Sequence, residues 1–295
     1  MCIRDRSIRD QRQEKEKGLI KDKKDVFYPD YDALKAEMDE DEAKLLFTVK
    51  NSDGLVVKKV FKSPSKGFNR FHWDLRYEVT NPINLSSSSF YNPFAGVSEG
   101  TLVEPGTYTV QMDYFVDGES TPLVDAKEFT VTLLDNTVLP AEDREAKILF
   151  QRDVATLQGE ISSYSRILSE ISDKVKYFEV AVLRLEKPIE ELSSQMKKVK
   201  DDLRDINILF YGDNVKRRLD MQQIPTPSSR VGIIANEQKY STASPTGTHI
   251  NSLKIAKEEF VPLKSRVDML VENVKSIEDK MKSLGAPYTP GRYEN

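Results

Sequence analysis

The stretch that decides the fold is residues 150–185, FQRDVATLQGEISSYSRILSEISDKVKYFEVAVLRL. Large apolar side chains recur there at alternating gaps of four and three residues, which is the heptad spacing of helices that pack against one another. As a helix this stretch would be roughly 50 Å long, at 1.5 Å per residue. The spacing therefore predicts a long amphipathic helix with one face in a core.

We call such a row of regularly spaced apolar residues a seam. Two further seams of the same spacing follow at residues 189–210 and 253–284, and a shorter apolar segment lies between them. Pro188 precedes the second seam, where proline suits the first turn of a new helix. Pro262 falls inside the third seam and predicts a kink or a local break. The seams predict an antiparallel bundle of three long helices and one short helix over residues 140–285, followed by a tail. The expected helices are residues 141–186, 188–211, 228–240 and 247–284, with 286–295 as the tail.

Upstream, between residues 43 and 136, apolar and polar side chains alternate with the period of two that is typical of strands. Asp-Gly pairs at 53–54 and 117–118 are turn signals between such strands. Five or six short strands, one of them over residues 68–79, predict a small antiparallel immunoglobulin-like β-sandwich. Residues 1–42 are expected to be a charged lead-in with a short helix. The predicted fold class is therefore α+β and multidomain, with the sandwich followed by the bundle.

The composition excludes several kinds of site. The net charge of −4 gives no electrostatic reason to expect a nucleic acid as partner. Cys2 is the only cysteine, so the sequence provides neither an internal disulfide nor a cysteine-based metal cluster. The two histidines, His72 and His249, lie in different predicted domains, so neither a zinc site nor a histidine-based catalytic pair is expected. The number of acidic residues alone does not exclude a catalytic carboxylate pair. These residues cluster, however, on predicted helix faces and at residues 39–42, which is typical of a solvent-exposed surface.

No phosphate-binding loop and no serine nucleophile motif occurs in the sequence. No apolar run approaches the roughly 18 residues that a membrane span needs. The chain is therefore expected to be non-enzymatic, without a catalytic residue, a metal or a cofactor.

Residues 71–77, FHWDLRY, are the richest candidate site, and they contain the only tryptophan. On an alternating strand Trp73 would share one face with Leu75, and Asp74 the other face with Arg76. One interpretation is a core tryptophan beside an ion pair. The other is an aromatic platform, completed from the serine-rich loop downstream, that stacks on a sugar ring or docks on a protein. The candidate ligand or interface residues are Trp73, Asp74, Arg76, Tyr77, Tyr91 and Phe94.

Four motifs carry a resemblance to a known family: FYPDYDAL at 27–34, WDLRY at 73–77, PGTYTV at 105–110 and the closing GAPYTPGRYEN. They resemble the C-terminal region of large exported bacterial proteins whose main body is a β-propeller of sortilin (Vps10) type with BNR (Asp-box) repeats. These proteins are often described as glycosyl-hydrolase-like. The resemblance extends from about residue 26 onward. No Asp-box occurs in this chain, so no activity of the propeller is carried over to any of its residues.

The resemblance implies export to the periplasm or cell surface, with the propeller encoded upstream. Residues 1–6 resemble a translated sequencing-adapter remnant. The expected function is a non-catalytic accessory and assembly module that packs on its own propeller or on another protein. The alternative is a carbohydrate-binding accessory domain with a glycan as its partner. Whether the parent is a glycoside hydrolase stays open.

Overall fold

The computed structural model of the chain describes residues 8–65, 67–85, 99–134, 139–186 and 189–292. The fold is α+β, with seven helices and one four-stranded antiparallel sheet in those residues. The described chain divides into two compact units. We call residues 8–78 with 102–134 the sheet unit, and residues 79–85, 99–101 and 139–292 the helical unit.

The elements of the sheet unit come first in the chain. They are α1 (Ile8–Lys21), α2 (Tyr31–Asp39), β1 (Lys44–Asn51), β2 (Val56–Lys62), β3 (Gly106–Val116) and β4 (Glu119–Val131). The helical unit follows with α3 (Arg144–Leu183), α4 (Glu190–Tyr211), α5 (Asn214–Arg218), α6 (Pro227–Gln238) and α7 (Gly247–Ser283).

The sheet has the strand order β2-β1-β3-β4, and every neighbouring pair is antiparallel. Its two hairpins turn at the predicted Asp-Gly pairs, where Gly54 has φ 77°, Asp117 has φ 49° and Gly118 has φ 78°. The turn at Asp117 and Gly118 has the two consecutive positive φ values that a two-residue hairpin turn requires, and at Gly54 and Gly118 glycine adopts a positive φ without a Cβ penalty. β4 starts directly after the turn at Asp117 and Gly118. It contains Pro122, which is tolerated because β4 is an edge strand.

The predicted strand over residues 68–79 is wrong. We call residues 67–78 the strap, because they run as irregular chain with a single isolated β-bridge, between Arg76 and Leu102, and one further backbone bond, from the Glu78 N–H to the Val57 carbonyl of β2 at 3.1 Å. The reason is a local turn: the Arg76 N–H donates to Asp74 Oδ1 at 3.2 Å, and Leu75 has φ 56°. Such a side-chain bond competes with strand pairing. Leu75 is consequently exposed and does not share a face with Trp73.

In the helical unit, the apolar residues of all three predicted seams lie in or against one core, with Leu284 as the exception. α3, α4, α6 and α7 all contribute to it. The heptad spacing therefore identified the buried face of each long helix correctly. Among the side chains buried most completely are Phe178, Phe210, Phe260, Leu168, Leu192 and Ile234.

Four hydrogen-bonded side-chain pairs join α3 to α7, and the partners are 104 residues apart in every one. A constant separation means that the two helices run in the same direction, in register. The first and third of the three long helices are therefore parallel, as alternating directions along three consecutive long helices require. The contacts are Asp153–Lys257, Glu160–Lys264, Tyr164–Asp268 and Lys174–Glu278.

The chain returns between these two helices in two pieces. α4 runs antiparallel along the C-terminal part of α3, where Lys200 bonds to Glu179. α6 covers the N-terminal part, where Gln151 Nε2 donates to the Gln238 carbonyl at 2.8 Å. Two pieces are needed because α4 has 22 residues and α3 has 40.

α7 continues through Pro262, so the chain has no break there, and a kink at this residue stays a prediction. Its end is as expected, with Gly285 at φ 67° just past the last turn. There the Ala286 N–H donates to the Met281 carbonyl at 2.9 Å, and the Gly285 N–H to the Lys282 carbonyl at 3.1 Å. This pair of bonds is the Schellman motif. Pro188, the predicted start of the second helix, lies outside the described residues.

Residues 79–85 belong to the helical unit, not to the sandwich domain expected over 43–136. The Thr80 hydroxyl donates to the Ala155 carbonyl on α3 at 2.6 Å. This close approach requires Gly159, because a Cβ at that position would lie 2.5 Å from the Thr80 carbonyl oxygen. A glycine in the middle of α3 is thus explained by the chain that crosses it.

Candidate functional site

Trp73 is half-buried and packs against the small core of the sheet unit. Its ring centroid is 5.4 Å from that of Tyr108 and 6.0 Å from that of Phe129, and its indole N–H donates to the Arg76 carbonyl at 2.9 Å. Val49, Val57, Val103 and Tyr108 are the buried members of this core. Both the ring and the N–H of Trp73 therefore have partners inside the protein. This geometry favours the core interpretation of Trp73, and sugar stacking stays a prediction.

Glu104 joins two tyrosines beneath the strap. The Tyr77 hydroxyl donates to Glu104 Oε2 at 2.5 Å, and the Tyr108 hydroxyl donates to the Glu104 carbonyl at 2.7 Å. Burial, and secondarily the charge of Glu104, raise the pKa of Tyr108 above its ordinary value. These bonds fix the loop before β3 to the strap, which is a structural role.

The remaining predicted site residues are not brought together as a platform in the described chain. Asp74 is exposed and caps the turn within the strap, and Arg76 forms the bridge to Leu102. His72 is exposed. Tyr91 and Phe94 lie outside the described residues.

His249, the other histidine, has a structural environment between α6 and α7. Its Nε2 is 2.6 Å from Glu237 Oε2, and its Nδ1 is 3.0 Å from Gln238 Nε2. The same ring completes a capping box with Thr246 at the start of α7. Within the described residues, no group of three or more histidine, cysteine or acidic side chains has the geometry of a metal site.

A different surface stands out by its exposed aromatic side chains, and we call residues 25–42 the aromatic-acidic arm. Phe27, Tyr28 and Tyr31 are 85%, 86% and 75% exposed, and Met38 is 87% exposed. Large apolar side chains grouped in this way are typical of surfaces that bind other molecules. The three aromatic residues belong to the sequence FYPDY at residues 27–31. Their spacing follows neither a helical nor a strand period, so the sequence pattern predicted no binding surface there.

The aromatic-acidic arm is held by polar contacts to α1. Arg12 bonds to Glu37 through two nitrogens, and its third nitrogen, Nη1, lies 2.6 Å from Glu16 Oε1. The bond from Arg12 lowers the pKa of Glu37, and the bonds from Glu37 and Glu16 raise the pKa of Arg12. The Ile8 N–H donates to Glu40 at 2.9 Å. Neither α1 nor α2 buries a residue, so these contacts leave the aromatic side chains free to bind.

The aromatic-acidic arm is also strongly negative. It contains eight carboxylates and one lysine, which is a formal charge of −7, whereas the whole chain carries −4. A partner of this arm would therefore have a positive surface around an apolar cleft.

No described helix combines the length and the apolar character that crossing a membrane requires. Comparison of the chain with protein-family models, with curated proteins and with solved structures yields no match.

Proposed function

We propose that this chain is a non-catalytic accessory and assembly module of a larger exported protein that carries a sortilin-type β-propeller. The aromatic-acidic arm docks on that propeller or on another protein. The observation that carries this proposal is the exposure of Phe27, Tyr28 and Tyr31 on a segment that is itself ordered by contacts to α1. Tyrosine and other aromatic side chains are enriched at the energetic centres of protein interfaces.

The finer fold assignments belong to the same proposal. An immunoglobulin-like relationship of the sheet unit is supported by Tyr108, whose hydroxyl bonds to the backbone four residues upstream. This is the geometry of the tyrosine corner in such domains. A bundle assignment of the helical unit is supported by the core shared between α3, α4, α6 and α7.

Export and the upstream propeller rest on the resemblance of the motifs alone. They are tested first by reading the coding sequence upstream of residue 26 in a longer genomic assembly. A coding sequence without a propeller would remove the proposed parent protein.

Direct binding tests the docking itself. The propeller encoded in the same reading frame is produced separately and titrated with this chain by calorimetry. We expect a complex that the triple variant F27S/Y28S/Y31S weakens by at least about tenfold, because aromatic side chains are enriched among the few interface residues whose truncation costs more than about 1 kcal/mol.

The matched control is I83S/L183S/I233S, which replaces three exposed apolar residues of the helical unit. It should bind as the unmodified chain does. Equal affinity of the arm variant and the unmodified chain would contradict docking through the aromatic-acidic arm, and absence of any complex would contradict the propeller as its partner.

A further inference from the structure

A second exposed apolar surface lies at the turn between α4 and α6. We call residues 212–224 the pinned loop. Its four large apolar side chains are all exposed: Val215 by 64%, Leu219 by 64%, Met221 by 54% and Ile224 by 82%. None of them belongs to the core of the helical unit. They lie outside the core that stabilises the helical unit.

The two ends of the pinned loop are fastened to each other. The Asp213 N–H donates to Gln223 Oε1 at 2.8 Å, and Arg217 Nη2 donates to the Tyr211 carbonyl at 2.7 Å. Gly212 has φ 84°, and a Cβ there would lie 2.8 Å from Gln223 Oε1. The loop is therefore held in one shape by polar contacts at its base while its apolar side chains point outward. Such preorganisation lowers the entropy lost on binding.

Three consecutive cations, Lys216, Arg217 and Arg218, accompany these apolar side chains, and all three are exposed. The loop has two carboxylates, and one of them, Asp213, accepts the N–H groups of Val215 and Lys216 as the cap of α5. The outer part of the loop is thus basic and apolar, although the chain as a whole is acidic.

We infer that the pinned loop binds an anionic lipid surface. Aliphatic side chains beside lysine and arginine suit insertion at the boundary between headgroups and acyl chains, where basic residues are attracted to anionic lipids. An acidic protein is the alternative partner. It is less favoured because residues 213–224 contain no aromatic side chain, the type that dominates protein interfaces. This inference does not depend on the aromatic-acidic arm or on its partner.

The test is co-sedimentation of the whole chain with lipid vesicles. We expect binding to phosphatidylcholine vesicles that contain about 30% phosphatidylglycerol, and little binding to pure phosphatidylcholine, because the attraction requires anionic lipid. The variants K216E/R218E and L219S/I224S should each lower the partition coefficient by at least about tenfold. Arg217 is left in place so that the base of the loop keeps its contact to Tyr211.

Each variant has a matched control on the same unit. K197E/K198E makes the same charge change on an exposed part of α4, and I233S/V261S removes two exposed apolar side chains from α6 and α7. Both controls should keep most of the vesicle binding, and circular dichroism checks that every variant is folded.

Three outcomes would overturn the inference. One is no binding to anionic vesicles, and another is an equal loss in the loop variants and their controls. The third is that the chain binds soluble poly-glutamate but not vesicles, and that K216E/R218E abolishes the binding to poly-glutamate. That result would identify an acidic protein as the partner of the loop. Loss of vesicle binding in both loop variants alone supports the lipid surface.

Discussion

The helical unit and the sheet unit bury their apolar side chains in different ways. In the helical unit three seams of constant spacing form one core that extends along α3 and α7. In the sheet unit four residues are buried in a cluster, and the strap closes it with Trp73 and a few hydrogen bonds. The helical core therefore depends on many interchangeable apolar contacts, whereas the sheet core depends on a few specific ones.

The largest effect is expected where the seams meet. Phe260 is 2% exposed, and its ring lies 5.6 Å from that of Tyr164 and 6.2 Å from that of Phe210. F260A should lower the free energy of unfolding of the helical unit by about 3–5 kcal/mol, through lost burial and a cavity. Urea unfolding followed by far-ultraviolet circular dichroism measures it. V261A, at a neighbouring position that is 65% exposed, should change it by about 0.5 kcal/mol or less.

Two helical glycines should respond to alanine with opposite signs. At Gly159 the new Cβ meets the Thr80 backbone, so G159A should destabilise by about 1–3 kcal/mol. At Gly232 on α6 there is open space, so G232A should stabilise by about 0.5–1 kcal/mol through helix propensity. Thermal unfolding of both variants gives the comparison. If both stabilised, the close crossing of residues 79–85 over α3 would be excluded.

A smaller effect is expected from a single hydroxyl in the sheet unit. Y108F removes the bond to the Glu104 carbonyl and should cost about 1 kcal/mol, measured by urea unfolding with Trp73 fluorescence. The exposed Y28F should cost nothing measurable. A loss as large as that of F260A would show that specific polar contacts, not apolar burial, hold the sheet core.

The raised pKa of Tyr108 adds a dependence on pH. The folded state favours the protonated phenol, so above about pH 10 the unfolded state ionises first and stability falls. The difference in stability between Y108F and the unmodified chain should therefore shrink as the pH rises above that value.

The smallest effect is expected from sugars. Because the Trp73 ring and N–H already have partners, titration with a broad panel of polysaccharides should leave the tryptophan emission unchanged. A saturable shift with one glycan, absent in D74A, would revive the carbohydrate-binding alternative.

The seams were predictable because burial repeats with the geometry of the helix itself, as at Val154, Leu157 and Ile161. The Asp-Gly turns were predictable because few residues adopt positive φ. The strap was not, because the bond from Arg76 to Asp74 is local and outweighs the alternation of FHWDLRY. The direction of α3 relative to α7 was also not predictable from the seams alone, because the spacing of apolar residues is the same in either direction.

The aromatic-acidic arm shows a related limit. A short helix was expected within residues 1–42, and α2 lies there, but periodicity says nothing about apolar residues that the chain itself leaves exposed. The role of these exposed residues depends on a binding partner. The contacts of Arg12 show that the arm is ordered without one.

The constant separation of 104 residues between contacting partners on α3 and α7 has a consequence for how the gene can change in length. A codon deleted inside either helix would shift every later contact by about 100° around its axis. Codons gained or lost in the segments between helices would leave the contacts intact. Length variation among natural relatives should therefore avoid both long helices and be tolerated at residues 239–246.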